Sequence, residues 1–137
     1  KKGLDSVRKI IEYCIKYNVK TLTIYAFSTE NWNRPIKEVD GLLKLFSESI
    51  SKESKKIHSN NIKLKFIGDT STFTEALQIK IKEIEKETFR NKRLILNVAL
   101  NYGGRLDIVN SVNTFYNNKK KIKKIMLLFQ LTPGIRM

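Results

Sequence analysis

The 137 residues include a single cysteine, Cys14, so no disulfide can close within the chain. That usage fits a reducing compartment, and a cytoplasmic location is expected. Cys14 stands among Ile10, Ile11 and Ile15 at helical spacing, which predicts a buried structural thiol rather than a nucleophile. Histidine is equally scarce: His58 is the only one, late on a polar helical stretch. A surface position is expected for it, since a metal site needs partners that the spacing does not supply. No apolar run approaches the roughly 20 residues that cross a bilayer, and no signal-peptide pattern opens the chain. Acidic residues are few, 13 against 27 lysines and arginines, for a formal charge of +14.

Such an imbalance favours anionic partners: nucleic acid, phosphate esters or an acidic membrane surface. It is equally what solvated, lysine-rich helix faces produce. Zinc-finger spacing, ribonucleoprotein aromatics and a helix-turn-helix pattern are all missing. Basic residues are spread along the chain except at 119–124, so no nucleic-acid partner is expected. What is present is a globular composition, 41% hydrophobic with a mean hydropathy of −0.34, enough in 137 residues for one real core.

Periodicity organises residues 1–117. Apolar positions 4, 7, 10, 11, 14 and 15 predict an amphipathic helix that Asn18 closes. Residues 21–27, rich in β-branched and aromatic side chains, read as a buried strand. Pro35 suits the first turn of a second helix, whose stripe is Val39, Leu42, Leu43, Phe46 and Ile50 and whose end falls near His58. Residues 62–67 form a second strand. Gly68 to Ser71 is a turn, and Thr72 with Glu75 has the spacing of a capping box. Leu77, Ile81, Ile84 and Thr88 line the inner face of a third helix; residues 94–100 make a third strand, and a fourth helix begins at Leu106. Alternation of this kind predicts an α/β fold with a mostly parallel central sheet and helices on both faces, joined by right-handed crossovers. Residues 118–137 depart from the pattern: a lysine cluster, then a short apolar run. Three readings of this tail stand open: a helix on a membrane surface, a core helix lacking its continuation, or a disordered end.

Chemistry concentrates at the exit of the first strand, where ligands of open α/β sheets sit. Ser28 and Thr29 can donate to phosphate oxygens, and Arg34 offers a planar fork for bidentate contact. The helix opening at Pro35 aims free N–H groups and the positive end of its dipole at the same place. Asn31 can donate and accept at once, and Trp32 adds an apolar face. A site for diphosphate at one end and hydrocarbon at the other needs this mixture. The alternative is an ordinary capped loop with Trp32 packed in the core, and the residue types alone do not separate the two. Asn101-Tyr102-Gly103-Gly104-Arg105 leaves the third strand through a double glycine but lacks P-loop or dinucleotide spacing; a structural turn is expected there. Gly68-Asp69 reads as a helix cap.

The run Tyr25-Ala26-Phe27-Ser28-Thr29-Glu30-Asn31-Trp32-Asn33-Arg34-Pro35 resembles the signature of the cis-prenyltransferases, the undecaprenyl diphosphate synthase family. Ile67-Gly68-Asp69 resembles that family's next strand end, and Asn97-Val98-Ala99 with Asn101 to Arg105 resembles its third motif. The resemblance covers roughly residues 1–116. It implies a homodimeric, Mg2+-assisted α/β enzyme that condenses isopentenyl diphosphate with an allylic prenyl diphosphate to give undecaprenyl diphosphate, the cell-wall lipid carrier. By that likeness Asn31 helps remove a proton from the incoming isopentenyl unit. Ser28, Thr29, Glu30 and Trp32 position substrate, and Arg34 binds diphosphate. Leu94, Leu43 and Phe46 become tunnel-wall candidates, though core packing explains them as well. The lipid product implies peripheral membrane contact.

Several of the family's elements are missing from these residues. An Asp-Gly-Asn-Gly-Arg segment, which carries the Mg2+-linked aspartate, is absent, as are a later arginine-rich isopentenyl diphosphate segment and an acidic metal ligand. Leu106 stands where the family usually has an aromatic. The expectation is therefore an internal piece of a cis-prenyltransferase, incomplete at both ends, with its Mg2+ ligands elsewhere and no turnover alone. A non-catalytic scaffold subunit or a degenerate relic of the family is the alternative.

Overall fold

The computed structural model describes residues 2–117, so the readings offered for the 118–137 tail lie outside the described residues. In chain order the elements are α1 (Lys2–Lys16), β1 (Thr21–Ser28), a 3-10 turn (Thr29–Asn33), α2 (Ile36–Ser59), β2 (Ile62–Ile67), α3 (Glu75–Thr88), β3 (Leu94–Tyr102) and α4 (Gly104–Asn117). The three strands form one parallel sheet in the order β1-β3-β2. The α/β fold with a parallel sheet expected from the alternation is what forms. Two compact units divide after Gly103, and the sheet belongs wholly to the first.

The centre of the sheet is its most apolar strand. In β3, Leu94, Leu96, Val98 and Leu100 are all buried on one face, and Leu94 and Leu100 are fully enclosed. A strand paired on both sides and covered by helices reads as a nearly continuous apolar run. Its core face continues sideways into Ile62 and Leu64 of β2 and Leu22 and Ile24 of β1, following the registers Ile62↔Leu94, Leu64↔Leu96, Leu22↔Leu96 and Ile24↔Val98. Against this layer pack Val39 and Ile50 of α2 and Leu77, Ile81 and Ile84 of α3, with Ile11, Cys14 and Ile15 of α1 partly buried at its margin. Cys14 is free and half-buried, a packing residue at the core's edge rather than at its centre. On the other side of the sheet, Thr21, Thr23, Tyr25 and Lys65 are exposed.

The outer edge of β2 is closed by side chains of α3 and the turn after it rather than by another strand. Leu64 N–H donates to Thr88 Oγ1 at 3.1 Å and Phe66 N–H to Glu85 Oε1 at 2.8 Å. Asn91 Nδ2 donates to the Ile62 carbonyl at 2.8 Å. A row of unpaired strand groups is thereby satisfied one by one. Thr88 is fully buried because it serves this edge while also donating to its own helix at the Ile84 carbonyl, 2.7 Å away.

Two local details depart from expectation. The capping box predicted from Thr72 and Glu75 is not what starts α3, whose N-cap is Thr74 without a side-chain cap bond. The Thr72 hydroxyl is taken instead by Asn101, 29 positions later. Pro35 is the N-cap of α2, and its carbonyl accepts from Glu38 and Val39 N–H. In the second unit, α4 is a 14-residue helix with Ile108, Val109 and Val112 exposed.

Candidate functional site at the strand exits

All three strands point their carboxyl ends the same way, so the segments that follow them are neighbours. β1 reaches the site through a bulge. Tyr25 pairs with Ala99 and Phe27 with Leu100, so Ala26 is an extra residue with no partner. The extra residue turns Phe27, which strict alternation would expose, onto the core face, where it is only 3% exposed. Ser28 then ends the strand half-buried, and the chain coils into the 3-10 turn.

Within the turn, Ser28 N–H donates to Asn31 Oδ1 at 2.8 Å. Asn31 is half-buried, and this bond leaves its Nδ2 protons and one Oδ1 lone pair for other partners. Glu30 is exposed. Arg34 follows the turn in extended backbone, largely exposed, and makes a long 3.9 Å ion pair to Glu38. A contact of that kind contributes about 0–1 kcal/mol at most and yields readily to a stronger anion.

Trp32 packs on one side and stays partly exposed on the other. Its ring packs edge-on against Phe27 at 5.2 Å and lies tilted against Phe73 at 6.0 Å, yet it keeps 38% exposure. Its indole N–H donates to Asn101 Oδ1 at 2.8 Å.

The other two exits close round this turn. Gly68, after β2, has a φ of 110° and lies directly against the Leu100 carbonyl, where no Cβ fits. Asp69 beyond it accepts the N–H of Ser71 at 2.9 Å and its hydroxyl at 2.5 Å, and these two bonds hold its carboxyl below the usual aspartate range. After β3, a Cβ on Gly103 would come within 2.5 Å of Thr29 Oγ1, so the glycine is what lets the half-buried Thr29 side chain sit there. Asn101, Gly103 and Gly68 fall within motifs that the sequence marks, but residue type and spacing there suggest only a turn and a cap, not the contacts they make. Their signal is weak because each acts on a partner distant in the chain.

An apolar cavity of about 220 Å3 lies between α1, α2 and the sheet. Val7 and Ile11 of α1, Phe46 of α2, and Leu96 and Val98 of β3 line it, and its lining reaches Tyr25 and Ala26, just before Ser28. Leu43 packs partly buried against the core, and Leu94 is enclosed within it. Of the three tunnel candidates, Phe46 alone lines this cavity. His58 is exposed. Among the described residues no three carboxylate, imidazole or thiol groups gather to hold a metal ion.

A parallel sheet with polar residues gathered beyond the strand ends defines an α/β protein, a class of open sheet in which ligands sit at the strand exits. The chain belongs to the undecaprenyl diphosphate synthase family: the family model described as "Putative undecaprenyl diphosphate synthase" matches residues 1–132. It is 47% identical over 123 residues to the ditrans,polycis-undecaprenyl-diphosphate synthase ((2E,6E)-farnesyl-diphosphate specific) of Pasteurella multocida, covering 90% of this chain and 51% of that one. The protein of the same description from Buchnera aphidicola is 46% identical over 121 residues, with coverages of 88% and 49%. The chain thus spans about half the length of these curated relatives. Among solved structures, a probable undecaprenyl diphosphate synthase from Campylobacter jejuni superposes with a TM-score of 0.81 at 32% identity, covering 87% of this chain and 58% of that one. Lavandulyl diphosphate synthase from Lavandula x intermedia, in complex with dimethylallyl diphosphate, matches with a TM-score of 0.81 at 31% identity, with coverages of 86% and 51%.

Proposed function

We propose that this chain carries one part of a cis-prenyltransferase site, which condenses isopentenyl diphosphate with an allylic prenyl diphosphate to lengthen a polyprenyl diphosphate. The observation that carries the reading is the adjacency of two unlike surfaces. Tyr25 and Ala26 are among the residues lining the apolar cavity, and along the chain Ser28 and Thr29 follow at once, with Arg34 just past the turn. An amphiphile with a diphosphate head and a hydrocarbon tail needs that order. The cavity exceeds the roughly 150 Å3 apolar void that accommodates a benzene ring.

Each group then has a task. Arg34 and the free N–H groups at the start of α2 take diphosphate oxygens. Asn31, braced through Oδ1 by Ser28 N–H, presents its remaining lone pair to a proton leaving the isopentenyl unit and its Nδ2 protons to the diphosphate. Trp32 shields the reacting carbons from water, with Glu30 at the rim. Mg2+, a second copy of the chain, a cytoplasmic location and membrane contact through the lipid product accompany this reading through the family. No step is assigned to the metal, because no three-ligand cluster forms among the described residues.

The test is a comparison of tail lengths. Inorganic diphosphate, dimethylallyl diphosphate and farnesyl diphosphate are titrated against the fluorescence of Trp32, the sole tryptophan. Affinity should rise with tail length, since each buried methylene contributes about 0.8 kcal/mol. Equal affinity for all three would overturn the reading. Incubation of the chain alone with farnesyl diphosphate, labelled isopentenyl diphosphate and Mg2+ should give no lipid product. Turnover would refute the expectation that the rest of the machinery lies outside this chain.

A further inference from the structure

Asn101 is buried, 5% exposed, at the end of β3, with a φ of 47°. Its side chain is committed in three directions. Oδ1 accepts from Trp32 Nε1 at 2.8 Å, while Nδ2 donates to the Asp69 carbonyl at 2.9 Å and to Thr72 Oγ1 at 3.1 Å. The partners settle which end of the amide is which, because an indole N–H can only donate and a peptide carbonyl can only accept. Aspartate at this position would set a negative oxygen against the Asp69 carbonyl. Leucine would leave three partly buried polar groups without this partner. An amide is what the geometry requires.

The consequence falls on Trp32. Packing against Phe27 and Phe73 sets the plane of its ring, but leaves rotation within that plane to be decided. The bond to Asn101 decides it. Trp32 lies in the same five-residue turn as Thr29, Glu30 and Asn31, so holding the indole holds the turn.

We propose that Asn101 is a positioning residue for the Thr29–Asn33 turn. It ties the turn to the segment after β2 and keeps it in the shape that receives a prenyl diphosphate. This rests on the function proposed above, and two separate readouts keep the two claims distinguishable.

The first readout needs no ligand. With one tryptophan in the chain, an amide-type NMR spectrum carries one indole N–H signal. In the unsubstituted protein that proton should exchange slowly with water. In Asn101→Ala it should exchange rapidly, while circular dichroism shows an unchanged fold. Exchange at the same rate in both proteins overturns the proposal. The second readout is the farnesyl diphosphate titration, in which Asn101→Ala should bind roughly three- to tenfold more weakly, the worth of one net hydrogen bond. Affinity within twofold, with indole protection lost, reduces Asn101 to a structural residue and also overturns the proposal. If the unsubstituted protein ignores farnesyl diphosphate, the proposed function fails, and the exchange comparison still decides whether Asn101 holds the turn. Should Asn101→Ala not fold, Thr72→Val carries the test: indole exchange and affinity should both move part way, and no change in either refutes the claim.

Discussion

Gly68 lies directly against the carbonyl of Leu100, with its φ at 110° and no room for a Cβ. The two residues stand at the carboxyl ends of neighbouring strands, and their contact sets how closely the segment after β2 approaches β3. Gly68→Ala meets both a steric collision with backbone and a φ that L-residues rarely adopt. A loss of about 2 kcal/mol or more is expected from the strain and the displaced strand end. Urea unfolding followed by circular dichroism measures it. A loss under half that value would show that the turn relaxes freely.

Thr88→Val keeps the shape of the side chain and removes its hydroxyl. Leu64 N–H then loses its acceptor at a site with no access to water. The unmatched donor should cost about 1–3 kcal/mol, and the amide of Leu64 should exchange faster than those of Lys63 and Lys65, which face β3. Stability equal to that of the parent would mean that another group had taken over the edge.

Gly41 offers a contrast. It stands inside α2, and a Cβ there would meet nothing within 4 Å. Gly41→Ala should stabilise the protein by roughly 0.5–1 kcal/mol, because the helix gains propensity and the unfolded chain loses freedom. The expected readout is a raised thermal midpoint with the fold unchanged.

The two bonds from Ser71 lower the pKa of Asp69 in the folded protein relative to its ordinary value of 3.8. A lowered folded pKa means that this support for the turn is complete above the ordinary value and is lost as pH falls through the lower one. The Ser71 amide shift should therefore titrate with a midpoint below 3.8. Asp69→Ala should abolish that acid step and loosen the 69–72 segment at neutral pH. A midpoint at or above the ordinary value would refute the account.

Elements governed by local periodicity are legible in the sequence itself. The apolar alternation at 62–67 matches β2, and the 3.6-residue spacing picks out Leu77, Ile81, Ile84 and Thr88, all of which are buried. The signature run falls where β1 ends and the chain turns, a position that its change from apolar to polar residues already marks. What escapes depends on partners far along the chain. Thr72 has the spacing of a capping residue, but its hydroxyl belongs to Asn101. Phe27 breaks the alternation of β1 because a bulge at Ala26 shifts the register, and no side-chain pattern announces a bulge. Residue type leaves the role of Trp32 undecided because the indole both packs and remains partly exposed, which only the positions of Phe27, Phe73 and Asn101 reveal.

The closed edge of β2 makes the sheet polar in the sense that a growing filament is polar. One end is terminated by Thr88, Glu85 and Asn91, while β1, among the described residues, pairs only with β3 and leaves its other side open to extension. Of the two edges, β1 is therefore the one whose strand groups are not taken up by α3 and the turn after it. A strand added there in the parallel sense of the other three would bring its carboxyl end next to Ser28 and the turn behind it.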